Sequence, residues 1–144
     1  MSEAIYAANT KFQEEYSAKI PALSLLNNLG WRYVSPDEAL KQRAGKPDEV
    51  VLREVLRQEL SKRRFEFEGK THALSAASID KLITQLCSPV LNEGLLAANE
   101  TLYNHMVYGI AATEFVNGNK ATPTLAIIDW HNIDNNDFCY TEEM

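Results

Sequence analysis

Cysteine is scarce in this chain. Two residues, Cys87 and Cys139, stand among 144, far apart and in no C-x-x-C pair. That argues against a disulfide scaffold and fits a reducing cytoplasm. Histidine is scarce too: His72, His105 and His131 are scattered, and no G-x-S-x-G occurs, so a Ser/His/Asp hydrolase has no support. His72 falls on a strand pattern and His105 on a helix pattern, where structural or surface roles are the ordinary ones. No G-x-x-x-x-G-K-[ST] is present, which leaves the chain without an ATP-binding P-loop. No apolar run approaches the roughly 18–20 residues that span a bilayer. The opening MSEAIYAANTKFQEEY is polar and acidic and does not read as a secretory leader. Repeats, low-complexity tracts and Pro/Gly/Ser linkers are missing, so residues 1–144 read as a single unit.

Positive charge is short as well. The net charge is −6, whereas autonomous nucleic-acid binders carry a basic face. Residues 41–70 hold nine Lys/Arg against six acids, but residues 92–144 hold one Lys against eight. The middle could touch phosphate; the last third should repel it. Arg53, Arg57, Lys62, Arg63 and Arg64 line one side of a helix and its end. They are candidates for a DNA or partner contact, with a solvated face shared with Glu54 and Glu59 as the plainer reading.

What is present is an ordinary core composition, 45% apolar, in a pattern that is helical over residues 10–109 and β-rich over 110–144. Phe12, Tyr16, Ile20, Leu23 and Leu26 predict a helix over Thr10–Asn28, kinked or restarted at Pro21. Trp31, Tyr33 and Val34 look extended. Ser35-Pro36-Asp37-Glu38 opens a helix with a cap, a first-position proline and acids. Further helices are expected over Asp48–Arg63, after Ser75 or Ser78, and over Glu93–Tyr108, with Leu95, Leu102, Tyr103 and Met106 in the core. Phe65–Leu74 reads as a hairpin. Ile110–Val116, Thr124–Trp130 and Phe138–Thr141 read as strands, with Asn117-Gly118 a turn. A strand at the very end of the chain leaves a sheet edge open, as if the chain were cut from something longer.

Two clusters invite chemistry. Asp129, His131, Asp134 and Asp137 could surround a hard cation, but no D-x-D-x-D-G loop is present, and Asn135-Asn136-Asp137 are good turn formers; a polar turn is the favoured reading. Pro47-Asp48 followed by Glu68-Gly69-Lys70 matches the loose PD…E-x-K pattern of magnesium nucleases. That chemistry needs strands that bring three side chains to one phosphate. Here the pair opens an expected helix and the triplet forms a turn, so the match reads as coincidence.

Four blocks carry a resemblance: KIPALSLLNNLGWRYVSPDEAL (19–40), VVLREVLRQEL (50–60), NETLYNHMVYG (99–109) and IDWHNIDNNDF (128–138). In this order and spacing they resemble the N-terminal region of the R (restriction) subunit of type I restriction–modification enzymes. The resemblance implies an α/β (α+β) fold, helices packed on the beginning of a mixed sheet of the PD-(D/E)xK nuclease kind. In that family the catalytic Asp and E-x-K strands follow the I-D-W block. The chain therefore reads as truncated before them, with no catalytic or metal residue and no cofactor of its own. The family implies a parent that uses Mg2+ and ATP, translocates and cuts unmethylated double-stranded DNA, and assembles with methyltransferase and specificity subunits in the cytoplasm. Glu14 matches an auxiliary first-helix acid. The family pattern I-D-W-x-N-P-E-N-N-x-F makes Trp130, Asn132, Asn135, Asn136 and Phe138 structural turn residues, with Ile133 and Asp134 replacing its proline and glutamate. The alternative is a non-catalytic interaction or regulatory module from that family, which an unburied apolar patch would favour.

Overall fold

The computed structural model describes residues 13–142. They form two compact groups. One is Leu40–Asn136; the other joins the residues up to Ala39 to those from Asp137 onward. Helices mix with small two-stranded sheets, an α+β arrangement.

In the group formed by the two chain ends, a π-helical turn at Glu15–Lys19 runs directly into α1, Ile20–Asn28. The expected start at Thr10 lies outside the described residues. Pro21 accounts for the π turn. In a regular α-helix its ring would clash with the carbonyl of Ser17, four residues back. Instead Ile20 N–H bonds to the carbonyl of Glu15, five residues back, and the wider turn relieves the clash. Strand β1, Arg32–Tyr33, pairs in parallel with β8, Cys139–Tyr140, with Arg32 opposite Cys139 and Tyr33 opposite Tyr140. Helix α2, Pro36–Gln42, opens as the sequence predicts, its Glu38 N–H donating to Ser35 Oγ at 3.2 Å.

In the central group, helix α3 spans Arg53–Lys62, not Asp48–Arg63. The guanidinium of Arg43, only 4% exposed, donates to the carbonyls of Pro47 at 2.8 Å and Glu49 at 3.0 Å. Those carbonyls are thereby held outside a helix, and Pro47-Asp48 sits in a turn. Strands β2, Arg64–Phe67, and β3, Lys70–Ala73, form the expected hairpin around Glu68-Gly69, both with positive φ, as a two-residue turn requires.

Ser75 rather than Ser78 caps α4, Ala76–Cys87. This helix buries Ile79, Leu82, Ile83 and Leu86, the i, i+3, i+4, i+7 set read from the sequence. With Leu60, Phe65, Ile110 and Leu125 they make the core; burying each large side chain contributes about 1.5–3 kcal/mol.

Helix α5 covers Leu95–Tyr108. The expected Ile110–Val116 strand divides into β4, Ile110–Ala111, and β5, Glu114–Val116, because the two pair with different partners. β5 turns at Asn117-Gly118 into β6, Asn119–Ala121, while β4 pairs antiparallel with β7, Thr124–Leu125. The expected strand to Trp130 stops at Leu125, since Arg63 takes the next two carbonyls: Nε donates to Ala126 at 2.8 Å and Nη2 to Ile127 at 3.2 Å. A further correction concerns α5. Leu95, Leu102, Tyr103 and Met106 are exposed, and Ala98 alone is buried among its fourteen residues.

Candidate functional site

The stretch Ile128–Asn136 is organised around one aspartate. Asp129 Oδ1 accepts the backbone N–H of Asn132 at 2.9 Å and of His131 at 3.1 Å, the geometry of an Asx turn. Its Oδ2 accepts Asn135 Nδ2 at 2.9 Å. The Asn136 amide closes the turn from the other side: its Oδ1 accepts Asp129 N–H, and its Nδ2 donates to Asp129 O, both at 2.9 Å. That pair reproduces, with a side chain, the exchange of bonds made by opposed strand residues. Nδ2 also reaches Ile133 O at 3.0 Å. Asn132 enters through its backbone, accepting Asn135 N–H at 3.1 Å. Ile133 opens a 3-10 turn, Ile133–Asn135, a helix-start position that suits the proline of the related pattern.

Electrostatics follow from these donors. The Asn132 N–H, then the Asn135 amide and the His131 N–H, hold the Asp129 carboxyl below the usual aspartate range. Both oxygens are spent on N–H groups. Asp137, in the terminal group, accepts from the Arg32 guanidinium at 2.8 Å. Among the described residues no group of three or more His, Cys, Asp or Glu could hold a metal.

The turn is fastened to α5. Trp130, 59% exposed, donates its indole N–H to Met106 O at 3.0 Å, satisfying a carbonyl in the last turn of that helix. Gly109 ends α5 at φ +90°; a Cβ there would lie 2.5 Å from Leu125 O, so only glycine lets β7 approach this closely. A cavity of about 210 Å³ lies beside them, lined in part by Tyr108, Asp129, Trp130 and His131. In the terminal group, Phe138 stacks on Trp31 with centroids 5.1 Å apart. Beside it, Tyr33 O–H donates to Glu142 at 2.8 Å, and Lys19 lies 3.2 Å from the same carboxylate, which these two groups hold below its ordinary pKa.

The five basic candidates are each engaged. Arg53 pairs with Glu49 at 2.5 Å, Arg57 with Asp80 at 2.5 Å and Lys62 with Glu59 at 2.6 Å. Arg63 binds the two carbonyls after β7 and lies 3.8 Å from Glu59, and Arg64 donates to Ser61 O and Arg63 O. Glu14 is exposed on the first helical turn. Glu68, at the β2–β3 tip, accepts Asn119 Nδ2 at 3.0 Å.

Sequence reasoning missed Arg43 and Glu114. Glu114 had a readable signal: alternation puts it on the face of Ile110 and Ala112, an acid among core positions. Arg43 had none, because the carbonyls of Pro47 and Glu49 that it holds are backbone groups.

The model of one family, type I restriction enzyme R protein N terminus, matches residues 11–144. The chain belongs to that family, whose described setting is a restriction enzyme's R protein. No curated protein and no solved structure matches it.

Proposed function

We propose that this chain is the opening part of a PD-(D/E)xK-type nuclease domain in a type I restriction R subunit, working in the cytoplasm beside methyltransferase and specificity subunits. The parent's activity is ATP-driven translocation and cleavage of unmethylated double-stranded DNA. The observation that carries the reading is the family match over residues 11–144, joined by the I-D-W block folded into a fixed turn. Among the described residues no helix is long and apolar enough to cross a membrane.

Three of the described carboxylates already have partners. Asp129 spends both oxygens on N–H donors, Asp137 faces Arg32, and Glu68 holds Asn119. No catalytic step is assigned to these residues. Glu14 is carried forward as the auxiliary acid for a nuclease centre. Arg53, Arg57, Lys62, Arg63 and Arg64 remain the surface for DNA or partner contact, where phosphate would compete with their present carboxylate and carbonyl partners.

Reading the gene past codon 144 tests this. A frame that continues into an Asp strand, an E-x-K strand and ATP-dependent motor domains supports it. A stop codon there contradicts it and makes the interaction-module reading the leading one.

A further inference from the structure

Helix α5 carries a stripe that has no partner within the described residues. At 3.6 residues per turn, Leu95, Leu102, Met106, Tyr103 and Leu96 fall within an arc of about 120°, the width of an ordinary core-facing stripe. Yet Leu95 is 72% and Leu96 84% exposed, and the other three are exposed as well. The stripe is not a frayed end. Gly109 and the Trp130–Met106 bond fix the C-terminal half of α5, and Ala98 is buried. Alongside lies a groove of about 140 Å³ between the end of α4 and α5, lined by the apolar Leu86, Pro89, Val90 and Leu102 and at its polar margin by residues such as Thr101 and His105, with room for one large apolar side chain.

Charge selects the occupant. No Lys or Arg occurs between Lys81 and Lys120, and α5 itself bears one formal charge, Glu100. Glu93, just before the helix, and Glu100 are both exposed and in no ion pair among the described residues. A second copy of the chain would bring the same two acids and the same net charge of −6 against its like, which opposes self-pairing. We propose that the α5 stripe is a docking face for an amphipathic helix of a partner protein. One large apolar side chain of that helix enters the groove, and its flanking Lys or Arg residues meet Glu93 and Glu100. The inference does not rest on the nuclease reading and survives its failure.

Isothermal titration calorimetry of the full chain tests it with two helical peptides. One has a leucine stripe flanked by lysines; the other has glutamates in place of the lysines. The lysine peptide is expected to bind at least tenfold more tightly. Glu93→Gln with Glu100→Gln should remove that preference, Leu95→Ser with Met106→Ser should remove binding, and Glu66→Gln, an acid on β2, should change neither. All substituted side chains are exposed, so folding is preserved, and circular dichroism checks it. Equal binding of both peptides, no binding, an equal loss in Glu66→Gln, or a dimer in light scattering that Leu95→Ser dissolves would each overturn the proposal.

Discussion

Glu114 offers the sharpest energetic test. It is 7% exposed, and its Oε1 accepts the Ser75 N–H at 2.9 Å and lies 3.1 Å from Ser75 Oγ. Ser75 in turn accepts the Ser78 N–H at 3.2 Å. In a capping box the residue three beyond the cap would supply this carboxylate. That residue is Ser78, which donates instead to Thr113 O at 2.9 Å. Glu114 thus completes the box from 39 residues away, tying β5 to the start of α4. Hydrogen bonds to an ionised acceptor contribute about 1.5–3 kcal/mol each, and a buried N–H left without a partner costs about 1–3 kcal/mol. The cost of burying the carboxylate offsets part of this. Glu114→Ala should therefore lose about 2–3 kcal/mol, and Glu114→Gln, which keeps an acceptor, about 1 kcal/mol. With a urea slope of about 1–3 kcal/mol per molar, the alanine midpoint falls by about 0.7–3 M. Ser75→Ala removes the other half, and the double variant should show a coupling of about 1 kcal/mol. A Glu114→Ala midpoint at the wild-type value, or strict additivity with Ser75→Ala, would refute the split-box argument.

Two further outcomes follow from the turn and its fastening. Gly109→Ala places a Cβ against the Leu125 carbonyl at a positive φ, so it should cost at least about 2 kcal/mol in thermal or urea unfolding; a neutral result would mean that β4 and β7 do not hold this register. Asp129 has its folded pKa depressed, chiefly by the Asn132 N–H, so its contribution is fully present above the unfolded value of about 3.9 and is lost as pH falls through the folded one. The thermal midpoint of Asp129→Asn should lie below wild type at pH 7, and the gap should close on acidification below about pH 4. A gap that widens in acid would contradict the turn.

Legibility in the sequence tracked how local each interaction is. The α4 core face, the Ser35 cap and the Asn117-Gly118 turn were readable because spacing and backbone preference alone decide them. The start of α3 was not, since Arg43 reaches forward to hold two carbonyls out of the helix. The end of β7 was not readable for the same reason: Arg63, remote in sequence, takes the carbonyls that would have extended it. The α5 stripe looks like core in the sequence because periodicity reports what a helix face would bury, not what surface covers it. In the 128–138 block, residue types announced a turn. Which side chain closes it, Asn136 onto both backbone groups of Asp129, is not decided by residue type, since three asparagines compete for the role.

The claim that the described carboxylates serve structure rather than phosphodiester chemistry is tested most directly by a nicking assay. Supercoiled plasmid would be incubated with magnesium and the wild-type chain, Asp48→Ala or Asp129→Asn. No nicking above buffer is expected for any of the three. Magnesium-dependent cleavage by the wild type that either substitution abolishes would contradict it.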